Sequence, residues 1–164
     1  MKKLLLLSLS LIIISCGEPP IVFDEASKAE VAISLNGAEN SLGEVLASYK
    51  GEIVLIDVWA SWCADCLVGL PRLKELQAKY PQVKYVFLSV DRSQKAWKYA
   101  INKHEIQGEH YFMPDGQKGA LNDFLNSNWI PRYLILDKDG NIAMYKAKRI
   151  KHPLVEETLK KLID

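Results

Sequence analysis

One segment of the sequence constrains the fold more than any other. Residues 53–60 form a near-continuous apolar run, Ile-Val-Leu-Ile-Asp-Val-Trp-Ala, which is broken only by Asp57. Such a run is typical of a central strand that is covered on both faces of its sheet. The motif Trp62-Cys63-Ala64-Asp65-Cys66 follows at once, and leucines at helical spacing come after it. We therefore expect a buried strand that leads directly into a helix with two cysteines at its start.

The rest of the chain alternates between strand and helix patterns. Period-two or continuous apolar patterns predict strands over residues 31–35, 83–90, 109–113, 132–137 and 141–146. Apolar residues at helical spacing predict helices over residues 41–49, 64–80, 96–101, 121–125 and 154–163. The last two strands flank Asp139-Gly140, a hairpin signal. This order predicts an α/β domain with a central mixed β-sheet flanked by helices.

The N-terminus has the pattern of an export signal. Lys2 and Lys3 precede an apolar stretch over residues 4–14, which is shorter than the about 20 residues that span a bilayer. The stretch ends in Ile13-Ile14-Ser15-Cys16, as in a bacterial lipoprotein signal, where the cysteine receives lipid and becomes the new N-terminus. An ordinary signal peptide with a coincidental cysteine is the alternative.

These features divide the chain into three parts. We expect a lipoprotein signal peptide at residues 1–15, a tether at residues 16–30 and one domain at residues 31–164. Lipid on Cys16 would hold the protein to a membrane of the cell envelope, facing the periplasm, where disulfides can persist. The formal net charge of +1 gives no electrostatic reason to expect a nucleic-acid partner.

Cys63 and Cys66 have the spacing of several kinds of site. At a helix start, unpaired N–H groups favour a thiolate on the first cysteine, and the second can attack a mixed disulfide formed by the first. The same spacing occurs in zinc half-sites, in small structural disulfides and in pairs of buried free thiols. A zinc site needs two more ligands, and His104, His110 and His152 show no paired spacing. We expect neither a metal nor another cofactor.

Two elements of the sequence resemble the thioredoxin superfamily, and within it the membrane-anchored TlpA/ResA-like thiol-disulfide oxidoreductases. The first is residues 57–66, with the Trp-Cys-x-x-Cys motif, and the second is Trp129-Ile130-Pro131-Arg132-Tyr133 with the hairpin after it. The resemblance covers residues 31–164. It implies a thioredoxin-like fold, here with an N-terminal extension.

The resemblance also implies roles for single residues. Cys63 would be the attacking thiol and Cys66 the resolving thiol. Pro131 would be a cis proline opposite the disulfide, and its position would leave the backbone of Ile130 free to pair with an extended client segment. Asp57 matches the family's buried acid, which could take the proton of Cys66.

Tryptophans beside these two elements are further candidates. We expect Trp62 to be exposed beside Cys63 and to line a substrate groove, and Trp59 to lie in the core. Trp129 could flank the same groove or serve in packing.

The sequence departs from the family at two positions near the cysteines. Gly69 stands where TlpA/ResA-like proteins commonly have a glutamate, three residues after the second cysteine. Asp65 replaces the usual proline just before the second cysteine. We expect the Asp65 carboxylate to oppose a thiolate on Cys63 and to make the couple more reducing than proline would.

The sequence thus predicts an exported, lipid-anchored protein disulfide oxidoreductase, acting as a reductase. Its partners would be client proteins bearing disulfides or thiols, and an upstream membrane or periplasmic thiol reductant. A thiol peroxidase and a non-catalytic binding module on a thioredoxin scaffold are the alternatives. The short basic run formed by Lys146, Lys148, Arg149 and Lys151 is predicted to be a solvated strand edge.

Overall fold

A computed structural model describes residues 18–164, so the predicted signal peptide and Cys16 lie outside the described residues. The strands are β1 (Val31–Ser34), β2 (Glu39–Ser41), β3 (Val54–Trp59), β4 (Lys84–Ser89), β5 (Glu109–Phe112), β6 (Arg132–Leu136) and β7 (Ile142–Ala147). The helices are α1 (Glu25–Ala29), α2 (Leu42–Ala47), α3 (Ala64–Lys79), α4 (Gln94–His104), α5 (Ala120–Phe124) and α6 (Pro153–Ile163).

The strands form one mixed sheet in the order β2-β1-β5-β4-β3-β6-β7. Strands β3, β4 and β5 are parallel to one another, and the other neighbouring pairs are antiparallel. All six residues of β3 are buried, as its apolar run predicts, because β4 and β6 flank it and helices cover the sheet. The structure confirms the predicted α/β class and the thioredoxin-like fold.

Local sequence signals explain where the helices begin. Ser41 caps α2 by accepting from the backbone N–H of Glu44, and the Glu44 carboxylate accepts from the backbone N–H of Ser41, which completes a capping box. Helix α3 begins directly after Cys63 and runs for 16 residues, with Leu70, Leu73 and Leu76 buried. A short chain segment therefore connects the central strand to the helix that carries both cysteines.

Helices α3 and α6 are joined by a polar cluster. The Glu156 carboxylate of α6 accepts hydrogen bonds from Lys79 Nζ (2.6 Å) and Tyr80 Oη (3.0 Å), and also pairs with Arg72. These donors hold the pKa of Glu156 at about 2. The cluster fixes the far end of α3, away from the cysteines.

The predicted tether, residues 16–30, differs from the structure in its described part. Phe23 is buried and its ring stacks on Phe124, with 5.1 Å between the ring centroids. Helix α1 follows, and Glu30 at its end accepts a hydrogen bond from the backbone N–H of Leu121 (2.7 Å). Residues 23–30 therefore pack on the domain. The sequence hides this, because one aromatic ring and polar contacts, not a periodic apolar pattern, hold the segment in place.

Strand β2 is also absent from the prediction, since its three residues, Glu39–Ser41, are all polar. Within residues 18–164, none of the helices combines the length and apolar character needed to cross a bilayer.

Candidate active site

The two cysteines form a disulfide at the N-terminus of α3. Cys63 is the N-cap residue of the helix, and its Sγ accepts a hydrogen bond from the backbone N–H of Cys66 (3.1 Å). Cys63 is 6% exposed and Cys66 1%. Cys63 is therefore the more exposed of the two residues, and its sulfur faces a backbone donor, which suits a thiolate after reduction.

A buried carboxylate fixes the loop that carries the first cysteine. Both oxygens of Asp91 accept from the backbone N–H of Ser61 (3.1 and 3.0 Å), and the Ser61 hydroxyl also donates to Asp91 (2.6 Å). Ser89 donates to the same carboxylate (2.8 Å). Asp91 was not among the predicted residues. A signal for it existed, because parallel strands β3 and β4 end in register at Trp59 and Ser89, so the residues that follow them meet at one sheet edge.

The loop before β6 lies against the disulfide. The Ile130–Pro131 peptide bond is cis, as the resemblance implies. The carbonyl oxygen of Ile130 is 3.6 Å from Cys63 Sγ. The structure thus brings together Cys63, Ile130 and Pro131, because β6 pairs with β3 and starts beside the end at which α3 begins.

The tryptophans near the disulfide differ in solvent exposure as the sequence predicts. Trp62 is 51% exposed beside Cys63, whereas Trp59 is 1% exposed in the core. Trp129, adjacent to Ile130, is 54% exposed. The indole rings of Trp62 and Trp129 are therefore both open to solvent. Trp62 adjoins Cys63 and Trp129 adjoins Ile130, the two residues that contact each other at the disulfide.

Asp57 lies in the middle of β3 and is 2% exposed. It pairs in register with Phe87 of β4 and Tyr133 of β6, so both rings project beside it from the same face of the sheet. Among the described residues, Asp57 Oδ1 has no hydrogen-bond partner. Burial raises the pKa of Asp57 well above its ordinary value of 3.8. This carboxyl is therefore suited to holding a proton.

Gly69, the position of the family's glutamate, lies against Tyr133. A Cβ on residue 69 would be 2.9 Å from Tyr133 Oη, closer than real Cβ atoms approach another atom. Tyr133 is 1% exposed, and burial raises its pKa. The sequence prediction did not include this contact, although the glycine in place of an acid was a signal that something else fills the space.

The basic run is only in part the solvated strand edge that the sequence predicts. Lys146 belongs to β7, and its Nζ donates to the backbone carbonyl of Leu125 (3.0 Å). Lys148, Arg149 and Lys151 follow the strand and line a groove of about 560 Å³ together with residues of α3 and of the cis-proline loop. These three cations therefore belong to the surroundings of the disulfide.

The disulfide narrows the alternatives for the two cysteines. They are bonded to each other, so they are not a pair of free thiols in this structure. Residues 18–164 contain no group of three or more His, Cys, Asp or Glu side chains that could hold a metal ion. A redox-active disulfide and a purely structural one have this same geometry and differ only in how readily they exchange with other thiols.

Comparison with known proteins agrees with the fold and the site. A thioredoxin-like family model matches residues 51–142. The chain is 27% identical over 120 residues to the thiol-disulfide oxidoreductase ResA of Bacillus thuringiensis subsp. konkukian, which covers 71% of this chain and 67% of that protein.

Solved structures show the same likeness. The solution structure of a candidate thiol-disulfide oxidoreductase from Bacteroides vulgatus superposes with a TM-score of 0.70 at 33% identity, and the match covers 86% of this chain and 90% of that one. A thiol-disulfide oxidoreductase from Bacteroides fragilis has the same fold at 20% identity, with a TM-score of 0.68 and coverage of 84% and 99%.

Fold and site together define a thioredoxin-like protein with a Cys-x-x-Cys disulfide at a helix start. The chain belongs to the thioredoxin-like family. Within that family its relatives and its own Cys63–Cys66 pair make it a thiol-disulfide oxidoreductase.

Proposed function

We propose that this protein is an exported, lipid-anchored reductase of disulfides in client proteins. The observation that carries the proposal is the Cys63–Cys66 disulfide, in which Cys63 Sγ lies against the cis-proline loop. An upstream membrane or periplasmic thiol reductant would return the pair to the dithiol form after each cycle.

The reaction proceeds in two exchanges. In the dithiol form, the Cys63 thiolate attacks a client disulfide, a Cys63–client bond forms, and one client sulfur leaves as a thiolate. The Cys66 thiol then loses its proton and attacks Cys63 Sγ. The Cys63–Cys66 disulfide forms and the second client sulfur leaves. Two electrons have passed from the protein to the client.

Asp57 is the proposed acceptor of the Cys66 proton. Its burial, its unpartnered Oδ1 and its raised pKa support this role, because a carboxyl that titrates nearer neutrality can accept and release a proton during turnover. Asp57→Asn should slow the resolution of the mixed disulfide and remove its dependence on pH. An unchanged rate and pH profile would exclude the role.

Trp62, Ile130 and Pro131 are the proposed client-binding residues. The Ile130 backbone lies beside Cys63, where an extended client segment could pair with it as an added strand. The exposed Trp62 indole offers apolar contact area next to the attacking sulfur.

Two single-cysteine variants test the core of the proposal. The wild type should reduce insulin disulfides, and Cys63→Ser should not. Cys66→Ser should accumulate mixed disulfides with client proteins, because the resolving thiol is missing, whereas Cys63→Ser serves as the matched control that traps none. Equal insulin reduction by the wild type and Cys63→Ser would favour a binding module with a static clip. Rapid peroxide consumption without disulfide reduction would favour a thiol peroxidase.

The lipid anchor has its own test. Cys16→Ser in the full chain should abolish incorporation of labelled fatty acid and release the protein from the membrane fraction. Cys63→Ser is the control, since it removes a cysteine that the proposal does not assign to lipid. Labelling that persists in Cys16→Ser would exclude the anchor.

A further inference from the structure

The groove beside the disulfide has one apolar wall and one positively charged wall. One wall comes from the start of α3 and the cis-proline loop, where Val68 is 72% exposed and Trp129 54%. The other wall is the segment between β7 and α6, which contributes Lys148, Arg149 and Lys151. A chain that enters the groove would therefore meet apolar surface on one side and positive charge on the other.

The charge in the groove is strongly unbalanced. Four cationic side chains line it, those of Arg132, Lys148, Arg149 and Lys151, against the single carboxylate of Asp65. Six ion pairs occur among residues 18–164, and none of them involves any of these four cations. The protein as a whole is close to neutral, with a formal net charge of +1. The positive charge is thus a local property of the groove.

Arg132 differs from the other three cations of the groove because it is buried. It follows Pro131 directly and is only 4% exposed. Its Nη1 donates to the Pro131 carbonyl oxygen (2.9 Å), while its Nε has no hydrogen-bond partner among the described residues. A buried guanidinium without a carboxylate keeps its positive charge uncompensated, and that charge attracts an anion that enters the groove.

We propose that this groove selects client segments that carry carboxylates next to the reactive cysteine and an apolar residue that packs on Trp129 and Val68. The inference rests on the proposed reductase function and deepens it, because it names the chemistry of the preferred client. Lys148, Arg149 and Lys151 attract the acidic segment, and the uncompensated charge of Arg132 adds to that attraction at the cis-proline end of the groove.

The same cations could instead contact the anionic headgroups of a membrane. The structure favours a peptide, because the cations line a concave groove beside the disulfide and Arg132 is almost completely buried. A flat lipid surface would meet the rim of such a groove, whereas an extended peptide can lie along it and also contact Trp129 and Val68. Membrane binding is therefore an outcome that the experiment must be able to detect.

The test compares two disulfide-bearing peptides that differ only by Glu→Gln changes on both sides of the cysteine. We expect the wild type to reduce the acidic peptide on the order of tenfold faster at low ionic strength, through electrostatic steering. The preference should disappear at about 1 M ionic strength, where the Debye length is about 3 Å. Arg132→Gln should weaken the preference at both low and moderate salt.

Matched charge reversals identify the source of the preference. The triple variant K148E/R149E/K151E should lose or invert it, whereas K95E/K98E/K103E, with the same change of net charge on α4, should keep it. A preference that is absent in the wild type, or equal in both triple variants, would overturn the inference. So would a groove triple variant that loses binding to anionic vesicles but keeps the peptide preference.

A small neutral disulfide separates this inference from the proposed function. Bis(2-hydroxyethyl) disulfide carries no charge, so the wild type and the control variant K95E/K98E/K103E should reduce it at the same rate. Each groove variant is compared with itself, acidic peptide against its Glu→Gln partner, so that a changed reactivity of Cys63 cancels. If the wild type exchanges with neither the neutral disulfide nor any peptide, the reductase function fails. If it reduces both peptides equally well, only the selection of acidic clients fails.

Discussion

Helix α3 passes so close to strand β6 at Gly69 that no side chain fits between them. A Cβ on residue 69 would be 2.9 Å from Tyr133 Oη. Tyr133 is 1% exposed, so moving its hydroxyl away from residue 69 would disturb the packing around its ring. We therefore expect Gly69→Ala to destabilise the protein, although alanine is the better helix former.

The magnitude follows from two opposing effects. Alanine in place of glycine inside a helix is favourable by about 1 kcal/mol. Forcing an additional methyl group into a packed site costs about 1–3 kcal/mol. The net loss for Gly69→Ala should then lie at about 0–2 kcal/mol. In a Tyr133→Phe background the clashing atom is gone, and the nearest remaining neighbour is Ile150 Cγ2 at 3.5 Å, an ordinary contact.

The effect of Gly69→Ala on the free energy of unfolding should therefore have opposite signs in the wild type and in Tyr133→Phe. In Tyr133→Phe, Gly69→Ala should stabilise by about 0.5–1 kcal/mol, which gives a coupling free energy of about 0.5–3 kcal/mol between the two positions. Urea unfolding of the four oxidised proteins measures each free energy, provided that the m-values agree. An equal effect of Gly69→Ala in both backgrounds would refute the reasoning, since it would mean that Oη does not limit the space at residue 69.

Three further substitutions test other parts of the structure. Asp57→Asn should raise the free energy of unfolding at neutral pH, and this gain should disappear towards about pH 4. The reason is that the Asp57 carboxyl has a higher pKa in the folded than in the unfolded protein, so the wild type loses stability as pH rises above the unfolded-state pKa. A difference between the two proteins that stays the same at every pH in urea unfolding would contradict this. Glu156→Gln should cost about 1 kcal/mol at neutral pH. That cost should vanish in thermal unfolding as pH falls through about 2, the pKa at which Lys79 and the other donors hold Glu156. Phe23→Ala should cost about 3–5 kcal/mol, because it removes a buried ring that stacks on Phe124; an unchanged melting temperature would show that residues 23–30 do not stabilise the domain.

Most elements of the fold could be predicted because their apolar patterns are long and regular. The run over residues 53–60 and the leucines of α3 each specify one kind of element and its buried face. Ser41 and Glu44 specify the start of α2 through direct hydrogen bonds between near neighbours. Signals of this kind depend on a few adjacent residues, so they can be read without the fold.

Elements held by distant contacts could not be predicted in this way. Strand β2 has three polar residues, and α1 has five residues that are fixed by Phe23 and Glu30 against a helix about ninety residues further on. Neither has a period that a sequence pattern could reveal. The resemblance to a family supplied the cis form of the Ile130–Pro131 bond, which spacing alone would not have indicated.

The surroundings of the cysteines show the same limit in the site. The motif identifies Cys63 and Cys66, but which cations line the groove depends on how the segment after β7 returns towards α3. Lys148, Arg149 and Lys151 looked like a solvated edge because their neighbours in sequence are strand and loop. Only the fold places them beside the cis-proline.

One side chain, that of Tyr133, links the glycine at residue 69 to the buried acid Asp57. A glutamate at residue 69 would have to displace Tyr133 Oη, so this chain cannot regain the family's acid by one substitution. Tyr133 in turn pairs in register with Asp57, and it also lines the groove. Tyr133 therefore excludes an acid at residue 69 and lies next to Asp57, whose pKa is raised by burial. The proton transfer proposed for Asp57 would then have no second carboxyl at residue 69 to share it, because Tyr133 Oη takes the space that such a side chain would need.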